Sequence, residues 1–144
     1  MMTNADITIL NKWYDSSERQ EVFLPTIIHG VSFYMKSGSG GDNRYPTKTA
    51  TYNIRIPVDA DMGESLYTDL VSYKQMAKEE AGKHWTLQPE SVIVPGIMDE
   101  ADIVNGIDLT ELEKKYGFYI TVKDFSDNTT RGSERMKHWR IGGE

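Results

Sequence analysis

One segment alternates between apolar and polar residues more cleanly than any other in the chain. In "TATYNIRIPV" (Thr49–Val58) apolar residues occupy every second position, with threonine, asparagine and arginine between them. Successive side chains of a β-strand point to opposite faces, so this period predicts a strand with one buried and one solvated face. Such strands are typical of antiparallel sheets. The predicted inward residues are Ala50, Tyr52, Ile54, Ile56 and Val58.

Other segments carry strand patterns too. Asp6–Asp15 alternates around two isoleucines, and Glu21–Lys36 forms a long second run. Within that run Pro25 predicts an edge or a bend, and Gly30 predicts a bulge or a sharp bend. Shorter strands are predicted downstream in "HWTLQ", "ESVIVPGI", "GFYITVKDF" and "MKHWRIG".

Two segments have helical patterns. The first begins at Ser72, which Gln75 follows as in a capping box, and ends at Gly82. The second, "DLTELEKKYG", has Asp108 as its predicted cap and Gly117 at its end. The β-α-β alternation of a parallel sheet is missing. The prediction is a mainly β (α+β) fold, a small antiparallel β-barrel or sandwich with two short helices, as a single domain over residues 1–144.

Composition narrows the classes of function. The chain has 144 residues and no cysteine, which excludes disulfides, zinc–thiolate sites and thiol nucleophiles. Its net charge of −6 argues against sequence-independent nucleic-acid binding, which needs a surplus of basic residues. It lacks a long apolar run, and its N-terminus lacks the pattern of a signal peptide. We therefore expect no membrane association and a cytoplasmic location in the producing cell.

A glycine-rich stretch, "SGSGGDNRYPTK" (Ser37–Lys48), suggests a phosphate-binding loop at first sight. Such loops run from a strand into a helix, whose N-terminus meets the anion. This stretch runs between two predicted strands and lacks the spacing of the known nucleotide motifs. It is therefore interpreted as a long hairpin loop, residues 37–48. Its basic residues Lys36, Arg44 and Lys48, with Tyr45, are predicted to contact a partner.

Metal and catalytic sites have weak support in the sequence. His29, His84 and His138 are far apart and lack ligand spacing, and "DADMGE" places its glycine wrongly for an EF-hand. Asp99, Glu100, Asp102 and Asp108 form an acidic group; two of them could act as a glycosidase pair if they faced a cleft. Charge groups in loops are usually solvated. We expect no enzyme activity, no metal and no cofactor.

Aromatic residues are numerous: eight tyrosines, three tryptophans and four phenylalanines. Trp13 and Tyr14 are adjacent, so one must point outward from a strand, and Tyr34 and Tyr119 fall on predicted outer faces. Exposed aromatic side chains on a β-protein often mark interfaces, and a platform for sugars is the rival use. Trp13 and Tyr34 are therefore predicted partner contacts. The near-repeat "KHWTL" and "KHWRI" indicates two strands with similar core requirements.

The order of several segments resembles that of a known family. These segments are "IIHGVSFY", "YNIRIPVDADM", "HWTLQPESVIVPGIMDE", "DLTELEKKYG" and "DNTTRGSERMKHWRIGGE". Together they resemble an uncharacterised family of phage and prophage proteins from Gram-positive hosts, over nearly the whole chain. That family is similar in size and β-content to head–tail joining proteins, also called head-closure or stopper proteins.

The resemblance implies a virion morphogenesis protein without catalytic residues. It implies a ring of identical subunits between the portal or adaptor and the tail, close to the DNA channel but without sequence-specific DNA binding. It also implies a location in the host cytoplasm during assembly and then in the neck of the virion. Two alternatives stay open: a tail-associated module that binds carbohydrate or the host surface, and a carboxylate-dependent hydrolase.

Overall fold

A computed structural model describes residues 3–37, 50–104, 108–130 and 136–144. Predicted features that fall on residues 38–49, among them Arg44, Tyr45 and Lys48, lie outside this part of the chain. The strands are β1 (Ala5–Asp15), β2 (Gln20–Ser37), β3 (Ala50–Pro57), β4 (Leu66–Tyr67), β5 (His84–Trp85), β6 (Val92–Pro95), β7 (Ile120–Asn128) and β8 (His138–Gly143). The helices are α1 (Leu70–Gln75), α2 (Lys78–Ala81), α3 (Glu100–Val104) and α4 (Leu109–Tyr116).

Six of the strands close into an antiparallel barrel in the order β1-β2-β3-β8-β7-β6. The sixth strand returns to the first, where Ile7–Leu10 of β1 pairs with the whole of β6. The seam between β6 and β7 is the shortest, with only Val92↔Thr121 and Ile93↔Ile120 in register. β4 and β5 form a separate parallel pair. The predicted β-rich fold class is confirmed, and closure selects the barrel over the sandwich.

β2 is the strand that joins the two halves of the barrel. It pairs with β1 as far as Val31 and with β3 from Ser32 onward. At the change of partner Gly30 has no residue opposite it and a φ of 77°, which only glycine adopts without strain. The Asp6 carboxylate accepts a hydrogen bond from the Gly30 N–H at 3.0 Å. The bulge predicted at Gly30 is confirmed.

The barrel interior holds the main core, and its residues follow the predicted alternation. Ile54 and Ile56 of β3 are fully buried, while Arg55 between them is exposed. The inward position predicted for Val58 is wrong, because β3 ends at Pro57 and Val58 is 37% exposed. The buried members of this core are Ile7, Ile9, Ile28, Val31, Ile54, Ile56, Trp85, Leu87, Ile93, Ile120, Val122, Trp139 and Ile141.

Three aromatic residues pack together inside this core. The rings of Trp85 and Trp139 meet edge to face with centroids 5.0 Å apart, and Tyr67 contacts both, at 5.1 Å and 5.0 Å. The two tryptophans are those of the near-repeat "KHWTL" and "KHWRI", so the similar core requirements predicted for these segments are observed.

The helices differ from prediction in number and in one cap. Instead of two, the described part has four, because the first predicted helix is divided into α1 and α2 and because α3 had no recognised signal. α1 begins after Asp69, whose carboxylate accepts from the Ser72 N–H at 3.0 Å, so Asp69 and not Ser72 is the cap. The cap at Asp108 and the end at Gly117 (φ 90°) are confirmed for α4. Among the described helices, none has the length and apolar character needed to cross a membrane.

A second apolar cluster lies outside the barrel, where α3 and α4 cover β1 and β6. Leu10 of β1 and Leu112 of α4 are buried in it. Tyr119, predicted to lie on an outer face, is half-buried here because that face is covered by α4. The helices therefore shield one side of the barrel, and the opposite strands carry no helix in the described part of the chain.

Gly143 of β8 allows β7 to approach closely. A Cβ atom at this position would lie 2.5 Å from the Ile120 Cγ2 and 2.7 Å from the Thr121 carbonyl oxygen. Because one obstacle is backbone, Gly143→Ala requires the two strands to separate. We expect the free energy of unfolding in urea to fall by about 1–3 kcal/mol.

Gly82→Ala is the matched control for this substitution. A Cβ atom there meets nothing closer than 3.5 Å, and the backbone has ordinary helical angles. We expect it to be neutral or to stabilise the fold by about 0.4–1 kcal/mol. An equal decrease in the free energy of unfolding for Gly143→Ala and Gly82→Ala would show that β7 and β8 do not approach as closely as described.

Candidate interaction surface

The predicted contact residues fall in different parts of the structure. Tyr34 lies near the end of β2 and is 42% exposed, on the outer face of the barrel. Lys36 is in the same strand, opposite Thr51 of β3. The ladder between β2 and β3 continues to Ser37↔Ala50, so residues 38–49 connect two antiparallel strands. A partner role for Arg44, Tyr45 and Lys48 stays a prediction.

Trp13 lies elsewhere, near the far end of β1. Its indole N–H donates to the Met76 carbonyl at 3.1 Å, and its ring is half-buried. The neighbouring Tyr14 points outward and is much more exposed. Trp13 therefore helps to hold α1 against β1, and of this adjacent pair Tyr14 presents the larger free aromatic surface.

The exposed outer side of β2, β3, β8 and β7 carries an unusual pair of cations, and we call this side the arginine face. Arg55 of β3 and Arg140 of β8 are directly opposite each other in the ladder. Both point outward, because Ile54, Ile56 and Ile141 beside them point into the core. The row is flanked by Ser32 of β2 and Ser126 of β7.

The next row of the arginine face has a gap in the middle. Gly142 of β8 pairs with Asn53 on one side and with Asp124 on the other. Since Gly142 has no side chain, the Asp124 carboxylate lies directly over it. The result is a polar groove of about 310 Å³ whose walls include Thr51, Asn53, Lys123, Asp124, Arg140 and Glu144.

An aromatic stack lies next to this groove. Tyr52 is one of the residues that line the groove, but its ring packs against the barrel core and stacks on Phe118 with centroids 5.5 Å apart. The Phe33 ring also contacts the Tyr52 ring, with centroids 5.7 Å apart. Phe118 is 40% exposed, so this stack offers an apolar surface beside the charged groups of the groove.

A second groove, of about 410 Å³, runs beside β2 on the opposite side from β1. There the backbone N–H of His29 donates to the Asp61 carbonyl at 2.7 Å. The Thr26 hydroxyl has no hydrogen-bond partner within the described residues. Among the residues that the structure describes, β1 is the only strand that pairs along β2 between Gln20 and Val31. The edge predicted from Pro25 is confirmed.

The acidic group predicted as a possible catalytic pair serves as a junction between helices. Asp99 and Asp102 bind the Lys115 ammonium at 2.8 Å and 2.7 Å, joining α3 to α4. The Tyr116 hydroxyl donates to Asp102 at 2.6 Å and accepts from the Asp99 N–H at 2.9 Å. Asp108 caps α4. Lys115 and Tyr116, which hold the carboxylates together, were not recognised in the sequence.

This junction should weaken in acid. Hydrogen bonds from Lys115 and then from Tyr116 lower the pKa of Asp102 from its ordinary value of 3.8. A carboxyl group with a lowered folded-state pKa stabilises the fold above its unfolded pKa, and this stabilisation is lost as the pH falls through the folded pKa. We expect the unfolding free energy of the wild type to fall between about pH 5 and pH 2, and to fall less in Asp102→Asn.

Urea unfolding across this pH range checks the effect. Glu100→Gln on the same helix is the control, because Glu100 has no ion pair within the part of the chain that the structure describes. An acid dependence that is the same in Asp102→Asn as in the wild type would contradict the role given to Asp102.

The three histidines occupy separate places. His29 lies 3.6 Å from the Asp6 carboxylate, the His84 ring contacts the Glu80 carbonyl, and His138 contacts the Met136 carbonyl. Among the described residues, no three histidine or acidic side chains are grouped as metal ligands. In "DADMGE", Asp61 accepts from the Gly63 N–H at 3.0 Å and so closes a turn.

The sequence indicates that the two arginines of the arginine face point outward, but it does not indicate that they meet. Alternation in "TATYNIRIPV" placed Arg55 on the solvated face, and this is observed. Arg140 follows Trp139 in the last strand, so it also had to point outward. Their meeting depends on the register between β3 and β8, which no local pattern encodes.

Comparison with known proteins gives a family and no characterised relative. Neither the curated proteins nor the solved structures contain a match to the chain. The model of a protein family of unknown function, DUF6751, matches residues 2–144. Because this match covers nearly the whole chain, the protein belongs to the DUF6751 family.

Proposed function

We propose that this protein is a structural component of the neck of a tailed phage or prophage, a head–tail connector of the head-closure type. It acts by assembling with copies of itself between the portal or adaptor and the tail. The proposal starts from the resemblance of the sequence to a family of phage proteins. The observation that carries it furthest is the closed antiparallel barrel with a long connection between β2 and β3.

A closed barrel suits a part that must keep its shape within an assembly. Closure removes most free strand edges, so the barrel resists uncontrolled edge-to-edge pairing. The β2–β3 ladder, which extends to Ser37↔Ala50, gives residues 38–49 a rigid base. We propose that this connection, with Arg44, Tyr45 and Lys48, contacts the neighbouring ring or the DNA channel. The net charge of −6 limits sticking to DNA along the rest of the surface.

Deletion of the gene from the phage or prophage that encodes it tests this function. We expect DNA-filled heads and separate tails in electron micrographs of the induced lysate. Addition of the purified protein to that lysate should restore joined, infectious particles. Normal tailed and infectious particles without the protein would refute the proposal.

The aromatic stack of Tyr52 and Phe118 next to the groove favours one alternative. Stacked and partly exposed rings such as Tyr52 and Phe118 can support the apolar face of a sugar. A tail-associated module that binds carbohydrate or the host surface is therefore the second candidate. Specific binding on a glycan array that is lost in Phe118→Ala would favour it over the neck. An array without signal would leave the connector as the better account.

A further inference from the structure

The arginine face holds two guanidinium groups in an unfavourable position. Arg55 and Arg140 are direct cross-strand neighbours, and like charges at such positions destabilise a sheet. The chain does not lack carboxylates, since it has 22 acidic residues against 16 lysines and arginines. A cation pair exposed on one face of an acidic protein is a complementary surface for carboxylates from outside the chain.

Both guanidinium groups keep donors available. Arg140 contacts the Asp124 carboxylate at 3.4 Å and the Asn53 side-chain oxygen at 3.3 Å. These distances exceed the roughly 2.7–2.9 Å of a good charge-assisted hydrogen bond. Arg55 forms no ion pair or side-chain hydrogen bond within the described ranges. The space above Gly142 is filled by the Asp124 carboxylate, and the groove of about 310 Å³ beside Arg140 is where an incoming side chain has room.

A complementary group lies across the barrel. Glu79 and Glu80 of α2 are both exposed, and neither carboxylate meets a cation in the described residues. α2 packs against β1 and β5. In the closed order of six strands, β1 is three positions from β8 in either direction, so it lies across the barrel from Arg140.

We propose that the arginine face of one copy binds the glutamate pair of a second copy, with the carboxylates of Glu79 and Glu80 reaching Arg55 and Arg140. The two surfaces are different, so the contact is heterologous and repeats from copy to copy. Such a contact closes into a ring when the rotation between copies permits. The closure of this contact into a ring rests on the proposed neck function. The contact itself rests on the charges and positions of the two surfaces.

A charge-exchange experiment tests the interface. The face-reversed variant carries Arg55→Glu and Arg140→Glu, and the helix-reversed variant carries Glu79→Lys and Glu80→Lys. Self-association is measured by sedimentation velocity over a range of concentrations at about 0.05 M and about 1 M salt, because added salt screens such contacts. The control compares Lys114→Glu with Arg55→Glu, because each shifts the net charge by the same amount and Lys114 lies on α4, which packs against β6.

We expect the wild type to associate at low salt and less at high salt. The association constant of each reversed variant alone should be at least about tenfold lower than that of the wild type, because like charges then oppose each other. An equimolar mixture of the two should recover it, since each acidic surface again meets a basic one. This recovery also shows that both variants are folded. Lys114→Glu should associate much more strongly than Arg55→Glu.

A monomeric wild type at low salt, or a mixture that does not recover, would overturn the interface. These outcomes are separable from failure of the proposed function. If the protein joins heads to tails and the reversed variants assemble as the wild type does, only the interface is wrong. If charge exchange behaves as expected but deletion leaves tailed particles, the interface stands and the neck function fails.

Discussion

Trp85→Ala should lower the free energy of unfolding by about 3–5 kcal/mol, the largest effect expected of a single truncation in this barrel. Trp85 is fully buried, and its ring packs against Trp139 and Tyr67. Its indole N–H also contacts the Met62 sulfur at 3.0 Å. Removal of the ring leaves a large cavity where β5 packs into the core, and the surrounding strands are too constrained by closure to fill it.

Trp13→Ala provides the comparison for this substitution. Trp13 is only half-buried and its side chain makes one hydrogen bond, to Met76, so Trp13→Ala should lower the free energy of unfolding by less than Trp85→Ala does. Urea unfolding followed by circular dichroism measures both variants and does not depend on tryptophan fluorescence. A loss in Trp85→Ala no larger than that in Trp13→Ala would contradict the position of Trp85 at the centre of the core.

Asn11→Ala should have the second largest effect and lower the free energy of unfolding by roughly 2–5 kcal/mol, because it leaves buried polar groups without hydrogen-bond partners. The pairing of β1 with β6 ends at Leu10, and side-chain amides continue the ladder beyond it. The fully buried Asn11 donates to the Thr86 carbonyl at 2.9 Å and accepts from the Thr86 N–H at 3.1 Å. Gln88 in turn accepts from the Lys12 N–H at 2.8 Å and donates to the Lys12 carbonyl at 2.9 Å.

Asn4 is a matched control because it makes the same pair of contacts in an exposed place. Its amide donates to the Phe33 carbonyl at 2.9 Å and accepts from the Phe33 N–H at 2.8 Å. Water can replace these hydrogen bonds, so Asn4→Ala should lower the free energy of unfolding by only about 0.5–1.5 kcal/mol. Unfolding midpoints in urea compare the two, and equal losses would show that burial of the Asn11 network is not the source of its effect.

These asparagines also show where sequence-based prediction ends. Alternation predicted β1, β2 and β3 because each has its period within a few neighbouring residues. Asn11 is buried on the same face of β1 as Ile7 and Ile9, but no local rule indicates that its amide can substitute for a strand there. Its partner Thr86 is distant in the chain, so the network becomes visible only when the barrel is closed.

Barrel closure itself was beyond local patterns. The β6–β7 seam has two registered pairs, and nothing in "ESVIVPGI" or "GFYITVKDF" specifies them over a sandwich. The cap of α1 was assigned to Ser72 because the pattern with Gln75 is locally as satisfactory as the observed cap at Asp69. α3 has only five residues, too few for a helical period to be recognised.

The candidate site was predictable only in part for the same reason. The outward direction of Arg55 and Tyr34 follows from alternation, and both are exposed as expected. The pairing of Arg55 with Arg140, and that of Asn53 with Gly142 beside it, depend on the register of β8 against β3. Local sequence therefore indicates which side chains reach the surface, and the topology decides which of them meet.

Cryo-electron microscopy of the particle neck tests the central proposal most directly. We expect a ring of six-stranded barrels between the portal or adaptor and the tail, with residues 38–49 of each copy directed at a neighbouring ring or the channel. If the barrel fits no density there, and mass spectrometry of purified particles does not detect the protein, the connector function is contradicted.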